Sequence, residues 1–170
     1  GGALALGIAS PLSASAPPRG PSGPECTIIG TRGDDRLNGT GGKDVICALG
    51  GDDTVFGRGG DDTLVLGPGA DFFSGGRGND VIRAGGGTDF GNGGPGDDRI
   101  LLMRGNDLIV FEGRGVDVLM GGPGDESCLS TRDKEGNDVI RGGDGEDTFN
   151  ADDGDFVSTV ENGPVPCEGG

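Results

Sequence analysis

The chain has 170 residues, 41 of them Gly and 10 Pro; apolar residues make up 31%, and Trp, Tyr and His are absent. So little apolar mass argues against a thick globular core, and the missing His removes Ser-His-Asp and Cys-His nucleophiles and HExxH zinc sites. A formal net charge of −16, with 13 Lys and Arg against 29 Asp and Glu, argues against a nucleic-acid partner, because phosphate binding needs a positive face. There is no GxSxG elbow, and neither Lys43 nor Lys134 is followed by the Ser or Thr of a Walker A loop. The acids are 22 Asp and 7 Glu; short carboxylates among glycines suit turns and hard cations.

Residues 3–16 (Ala-Leu-Ala-Leu-Gly-Ile-Ala-Ser-Pro-Leu-Ser-Ala-Ser-Ala) read as the apolar half of a secretory signal, with Ala14-x-Ala16 as a cleavage motif. At about 14 residues the stretch is too short and too broken to span a bilayer. Residues 1–16 are therefore read as a truncated signal peptide and 17–25, rich in Pro and Gly, as a linker. The four cysteines are Cys26, Cys47, Cys128 and Cys167. With no His and no CxxC spacing they form no zinc site, and an even number in an exported chain points to disulfides. Three connectivities are open. Local pairs at each end, Cys26–Cys47 and Cys128–Cys167, are preferred. The alternative is buried thiols, above all for Cys128, which falls on a core position of the repeat that follows.

From Gly30 the chain divides into blocks of nine. Nine blocks, opening GTRGDDRLN, GTGGKDVIC, ALGGDDTVF and GRGGDDTLV, run to Val110 without insertion. Phe111 is one extra residue. Blocks 112–120 and 121–129 come next, then an insert at 130–132, then blocks 133–141 and 142–150, thirteen in all. Position four is Gly in all thirteen. Position six is Asp in twelve and Glu126 in the other. Position eight is apolar or Cys in twelve, and Gly91 is the exception. Glycines at positions one, two and four permit positive φ or close backbone approach, so that a tight turn points carbonyls inward. Asp or Asn at position five tolerates the left-handed region. Asp at position six adds a carboxylate, and oxygen-only ligands at this density fit Ca²⁺ better than a soft metal. Positions seven to nine form a short strand with the eighth side chain inward.

The pattern GGxGxDxUx, repeated from about residue 26 to 150, resembles the hemolysin-type (RTX) calcium-binding nonapeptide repeat. The opening from Cys26 to Cys47 is also similar to secreted actinobacterial members. The resemblance implies an all-β fold, a right-handed parallel β-roll (a β-helix solenoid) with two nonapeptides per turn. It implies several Ca²⁺ ions between loops of successive turns, on both sides. Carried onto this sequence, the metal residues are Asp35, Asp44, Asp53, Asp62, Asp71, Asp80, Asp89, Asp98, Asp107, Asp117, Asp138 and Asp147. In the cleanest loops they are joined by Gly57, Gly59, Gly75, Gly78, Gly93, Gly96, Gly142 and Gly145. One edge of the roll should carry Asp35, Asp53, Asp71, Asp89 and Asp107, and the other Asp44, Asp62, Asp80 and Asp98. One ion between neighbours on an edge gives at most about seven sites in this stretch. The loops LMRGND (102–107), DKEGND (133–138) and LGPGAD (66–71) lack leading glycines and should bind weakly, and Glu126 stands where the shorter Asp belongs.

The roll is expected over 26–160, with Cys26–Ile29 and Asp155–Val160 as cap strands and 161–170 as a tail. About one side chain in nine should point firmly inward, too few to meet the entropy of ordering the chain. Carboxylates one turn apart repel by about 1 kcal/mol per pair in water and more when buried. Calcium reverses that sign, so folding on binding Ca²⁺ after export is expected. The function that follows is a secreted, non-catalytic calcium-binding roll whose extracellular partner the sequence does not indicate. Family enzymes carry such repeats beside a protease or lipase domain, and neither flank of this sequence has room for one. Three further readings are an adhesive module, a polysaccharide-binding module, and the detached repeat domain of a calcium-dependent extracellular enzyme. A ligand-binding repeat surface would show aligned Thr or aromatic ladders, and the nine threonines are scattered.

Overall fold

The computed structural model describes residues 25–109, 114–130, 137–151, 153–158 and 165–166. The leader at 1–16, nearly all of the linker, Phe111 and Cys167 lie outside them. Alternation of outward, inward and outward residues over positions seven to nine favours a strand, and the loop glycines return the chain one turn later. The even-numbered blocks feed one side of the roll. There β1 (Ile28–Ile29), β3 (Val45–Cys47), β5 (Thr63–Pro68), β7 (Val81–Gly87), β9 (Arg99–Gly105), β11 (Val118–Pro123), β13 (Val139–Asp144) and β15 (Phe156–Ser158) form one parallel eight-stranded sheet. On the other side β2 (Arg36–Asn38), β4 (Thr54–Gly59), β6 (Phe72–Arg77), β8 (Phe90–Asn92) and β10 (Leu108–Ile109) form a five-stranded sheet. A three-stranded sheet of β12 (Leu129–Ser130), β14 (Thr148–Asn150) and β16 (Val165–Pro166) continues that side. The chain is a β-roll of about seven turns. Among the described residues there is no helix, and so none long and apolar enough to cross a membrane.

Register follows the repeat. Val45 pairs with Thr63, and Thr63 with Val81, each 18 residues on. The extra residue near 111 lengthens one step, so that Arg99 pairs with Val118. The insert near 130 lengthens the next, so that Val118 pairs with Val139. The eight-stranded sheet runs through both irregularities; the opposite side divides there into its two sheets.

The core is wider than one side chain in nine. Position eight is buried from Ile46 through Val55, Leu64, Phe73, Ile82, Ile100, Ile109, Leu119 and Ile140 to Phe149. Ala48, Leu66, Ala84 and Leu102 at position one are equally buried. The cause is strand length. β5, β7 and β9 run past position nine into the next block and carry Leu66, Ala84 and Leu102, so position one lies two residues beyond position eight and faces the same way; Ala48, just past the end of β3, keeps the spacing, its N–H donating to the Val65 carbonyl at 2.9 Å. Gly91 is an exception with a reason: a Cβ there would run into the carbonyl oxygen of Phe73, one turn earlier, and stand 2.6 Å from Cγ and Cδ2 of its large core ring.

Cys128 does not occupy the core. It takes φ +56° as an extra residue after Ser127, and Leu129 fills the inward slot, opposite Phe149. At the N-terminal end Ile28 pairs with Ile46, and Cys26 is bonded to Cys47 with 5.9 Å between Cα atoms. At the other end Val157 packs on the core from β15, and β16 adds a strand within the stretch read as tail. Cys128 is also disulfide-bonded; the expected Cys128–Cys167 pair falls on Cys167, outside the described residues.

Candidate metal centre

Each loop places its position-six carboxylate just before a strand, where the backbone turns inward. From Asp44 to Asp147 this column is buried, with exposures of 0 to 6%. The carboxylates form two rows. On one edge the N–H groups of Asp35, Asp53, Asp71 and Asp89 donate to Oδ1 of Asp53, Asp71, Asp89 and Asp107, at 2.8–2.9 Å. On the other, Asp44, Asp62, Asp80, Asp98 and Asp117 donate to Asp62, Asp80, Asp98, Asp117 and Asp138, at 2.7–2.8 Å. The two edges are those expected from the repeat. The second row extends one step further, since Asp138 donates to Asp155 Oδ1 at 3.1 Å. The sequence places Asp155 in a cap strand, although Asp155-Phe156-Val157 keeps the acid-x-apolar spacing of the repeat. The first row is broken at Glu126, where no bond joins the Asp107 N–H to the longer side chain. It resumes when Glu126 donates to Asp147 Oδ1 at 3.1 Å.

In the interior of the rows one carboxylate oxygen is thus used and the second is left over; at the first turn Oδ2 of Asp35 and Asp44 instead accepts from the N–H and hydroxyl of Thr31 and Thr40, respectively, and Glu126 has neither oxygen bonded. Oδ2 of Asp53, Asp62, Asp71, Asp80, Asp89, Asp98, Asp107 and Asp147 is buried with no hydrogen-bond partner. A buried anionic oxygen without a donor is costly, and a row of them is stable only with protons or cations. Burial, reinforced by neighbouring carboxylates of the same row and opposed by the backbone N–H, raises the pKa of Asp53 and Asp62 above the usual range. The same balance carries Asp71 and Asp80 to about 6, Asp89 to about 7 and Asp98 to about 8. Burial also raises Asp107 against the N–H of Asp89. Glu126, buried against Asp147, reaches about 9.

The glycines surround these oxygens in two ways. At position four, Gly60, Gly78, Gly96 and Gly145 take φ from +107° to +139°, and a Cβ would run into the turn before. At position one, a Cβ on Gly57 would stand 2.6 Å from Oδ2 of Asp62, and on Gly75, Gly93 and Gly142 it would meet Asp80, Asp98 and Asp147. Gly59 has neither constraint; its neighbour Gly60 holds the left-handed turn. The left-handed residues lie at positions two and four, not at position five as the sequence suggested. At position two Leu49, Arg58 and Met103 adopt φ +79° to +85° without being glycine. Position five instead supplies exposed acceptors to amides of the next turn, as Asp52 does for Ala70 at 2.8 Å.

Among the described residues, no three His, Cys, Asp or Glu side chains converge on one point. Carboxylates could therefore supply only part of the six to eight oxygens that calcium takes, and the rest would have to come from loop carbonyls. An all-oxygen, anionic, Gly-lined loop with a spare carboxylate oxygen fits a hard divalent cation and no soft one.

A parallel roll with such loops along its edges is a structural calcium-binding fold. The family model of the RTX calcium-binding nonapeptide repeat matches residues 27–55, 56–91, 65–100, 92–109 and 132–155, more than half of the chain. The chain belongs to that family and carries its calcium-binding repeats. No curated protein and no solved structure matches it.

Proposed function

We propose that this chain is a secreted, non-catalytic module that folds when Ca²⁺ binds along both edges of the roll. The observation that carries this reading is the row of buried, unpartnered Oδ2 atoms on Asp53, Asp62, Asp71, Asp80, Asp89, Asp98 and Asp107. The ligands would be the position-six carboxylates from Asp35 to Asp147 together with carbonyls of the glycine turns. Up to about seven ions would lie between residues 30 and 110. Export is supported by the apolar leader and by the Cys26–Cys47 disulfide, which persists in oxidising compartments. Extracellular calcium modules bind at about 10⁻⁴–10⁻³ M, which would leave the chain loose before export and ordered after it. Calorimetric titration of EDTA-stripped protein tests the reading. Several ions per chain are expected; no heat with Ca²⁺ at millimolar concentration would overturn it.

A second reading, an adhesive or polysaccharide-binding module, is favoured by one observation. On the outer face of the five-stranded sheet Phe56, Phe72 and Phe90 align, with ring centroids 5.9 and 5.5 Å apart, and Arg36 lies 5.0 Å over the Phe56 ring. Phe90 is 42% exposed. Pull-down on cell-wall material with and without EDTA tests it; capture lost in Phe72→Ala and Phe90→Ala would support it, and capture unchanged in both would reject it.

A further inference from the structure

Position five carries a second ladder along the loops, in the opposite sense to the first. Asp61 Oδ1 accepts the N–H of Asn79 at 2.9 Å, Asn79 Oδ1 that of Asp97 at 3.0 Å, and Asp97 Oδ1 that of Val116 at 2.9 Å. In the position-six rows an amide donates forward to the carboxylate of the following turn. Here the following turn donates back. A loop in the middle is therefore held from both neighbours. Asp and Asn serve alike at position five, and Asn79 makes the same bond as the aspartates on either side. A neutral carbonyl acceptor is enough, which separates this column from one that binds a cation through its charge.

The two edges differ in continuity. The run Asp61–Asn79–Asp97 spans the middle of the roll without a gap. On the other edge Asp34 accepts from Asp52 at 2.9 Å and Asp52 from Ala70 at 2.8 Å. Ala70 offers no acceptor, and the run stops. It resumes at Asn106, which accepts from Asp125 at 3.2 Å, and at Asp125, which accepts from Glu146 at 3.0 Å. Loops 75–80 and 93–98 are thus held from both neighbours, loops 57–62 and 66–71 from one each, and loop 84–89, with Thr88 at position five, from neither. An unclamped loop must be ordered by the ion itself, at the expense of its affinity.

We infer that the position-five ladder is a metal-independent positioning device, and that its continuity makes the edge carrying Asp62, Asp80 and Asp98 the first to order as calcium is added. Asp61, Asn79 and Asp97 are positioning residues, not ligands. The order of filling rests on the calcium reading above; the ladder itself does not.

Amide-resolved hydrogen exchange during a Ca²⁺ titration tests this. In the wild type, loops 75–80 and 93–98 should gain protection at lower Ca²⁺ than loop 84–89, with loops 57–62 and 66–71 between them. Asp97→Ala should raise the concentration needed by loop 93–98 by about two- to tenfold, the range that one hydrogen bond covers. Asp97→Asn should leave it unchanged. Ala70→Asn, at an exposed position, should offer an acceptor to Thr88 and lower the concentration needed by loops 66–71 and 84–89 by a similar factor. Simultaneous ordering of both edges, or Asp97→Asn as damaging as Asp97→Ala, would overturn the inference. If the wild type bound no calcium, the functional reading would fail alone. Protection of the Val116 amide in Asp97→Ala against Asp97→Asn would still decide the ladder.

Discussion

Asp80 sits in the middle of its row, bonded through Oδ1 to the Asp62 N–H and through its own N–H to Asp98. Asp80→Ala should remove about one ion and weaken the sites on either side, because each carboxylate serves two turns. Calorimetry with unchanged stoichiometry and affinity would contradict that assignment. Residues in the wrong conformational class offer a test in the other direction. Leu49, Arg58 and Met103 occupy left-handed positions that Gly fills in loops such as 75–80 and 93–98. Leu49→Gly and Met103→Gly should each stabilise the calcium-loaded roll by about 1 kcal/mol. A rise in Tm at saturating Ca²⁺ checks it; a fall would mean that the side chains pack more than the strain costs. The acidic column was legible in the sequence because its period puts like residues on like sites. Asp155 and Leu129 were not: each stands beside a gap in the count, where the period no longer says which residue faces inward.

The strands were legible for the same reason, and their lengths were not. Three positions of nine define a strand by alternation, but β5, β7 and β9 extend into loop positions of the next block that carry no strand pattern of their own. Leu66, Ala84 and Leu102 therefore joined the core unannounced, as did Ala48 just past the end of β3. Gly91 is the sharper case. By the repeat it should be Leu, Ile or Val, yet Phe73 fills its space from the strand beside it. Gly91→Val should destabilise by about 1–3 kcal/mol through overpacking. Phe73→Leu combined with Gly91→Val should recover only the part of the loss due to the ring, since the Phe73 carbonyl still crowds a Cβ at residue 91, and a purely additive double mutant in thermal unfolding would refute the ring contact. The first cap depends on a strand of only two residues, β1, tied to β3 by Cys26–Cys47. A bond closing a loop of about 20 residues is worth about 3 kcal/mol. Reduction should raise the Ca²⁺ needed to fold the roll while the central loops still bind; an identical titration in dithiothreitol would show that the cap is held otherwise.

At the scale of the molecule, the proposed coupling of folding to calcium through the two carboxylate rows should extend to protons. Folding without metal raises the pKa of Asp71, Asp80, Asp89 and Asp98 to between about 6 and about 8. A raised carboxylate pKa means that the folded state holds more protons than the unfolded chain. The stabilisation is complete below the unfolded value near 4 and is lost as pH rises through 6 to 8. Metal-free protein should therefore gain strand signal on acidification from pH 8 toward 4.5. Calcium needs the ionised oxygens, so the concentration required should rise over the same change. Strand content without metal that stays flat across this window would contradict the coupling.

The most direct measurement is circular dichroism of EDTA-stripped protein at pH 7.5, titrated with Ca²⁺ and, in parallel, with Mg²⁺. The account predicts an expanded, largely unordered chain at the start and a cooperative gain of β signal with Ca²⁺ at about 10⁻⁴–10⁻³ M. EDTA should reverse it. Mg²⁺, which demands a tighter octahedral shell and keeps its waters, should leave the chain unordered at the same concentrations. A β spectrum already complete in EDTA, or an equal response to Mg²⁺, would contradict the claim that calcium at the carboxylate rows decides the fold.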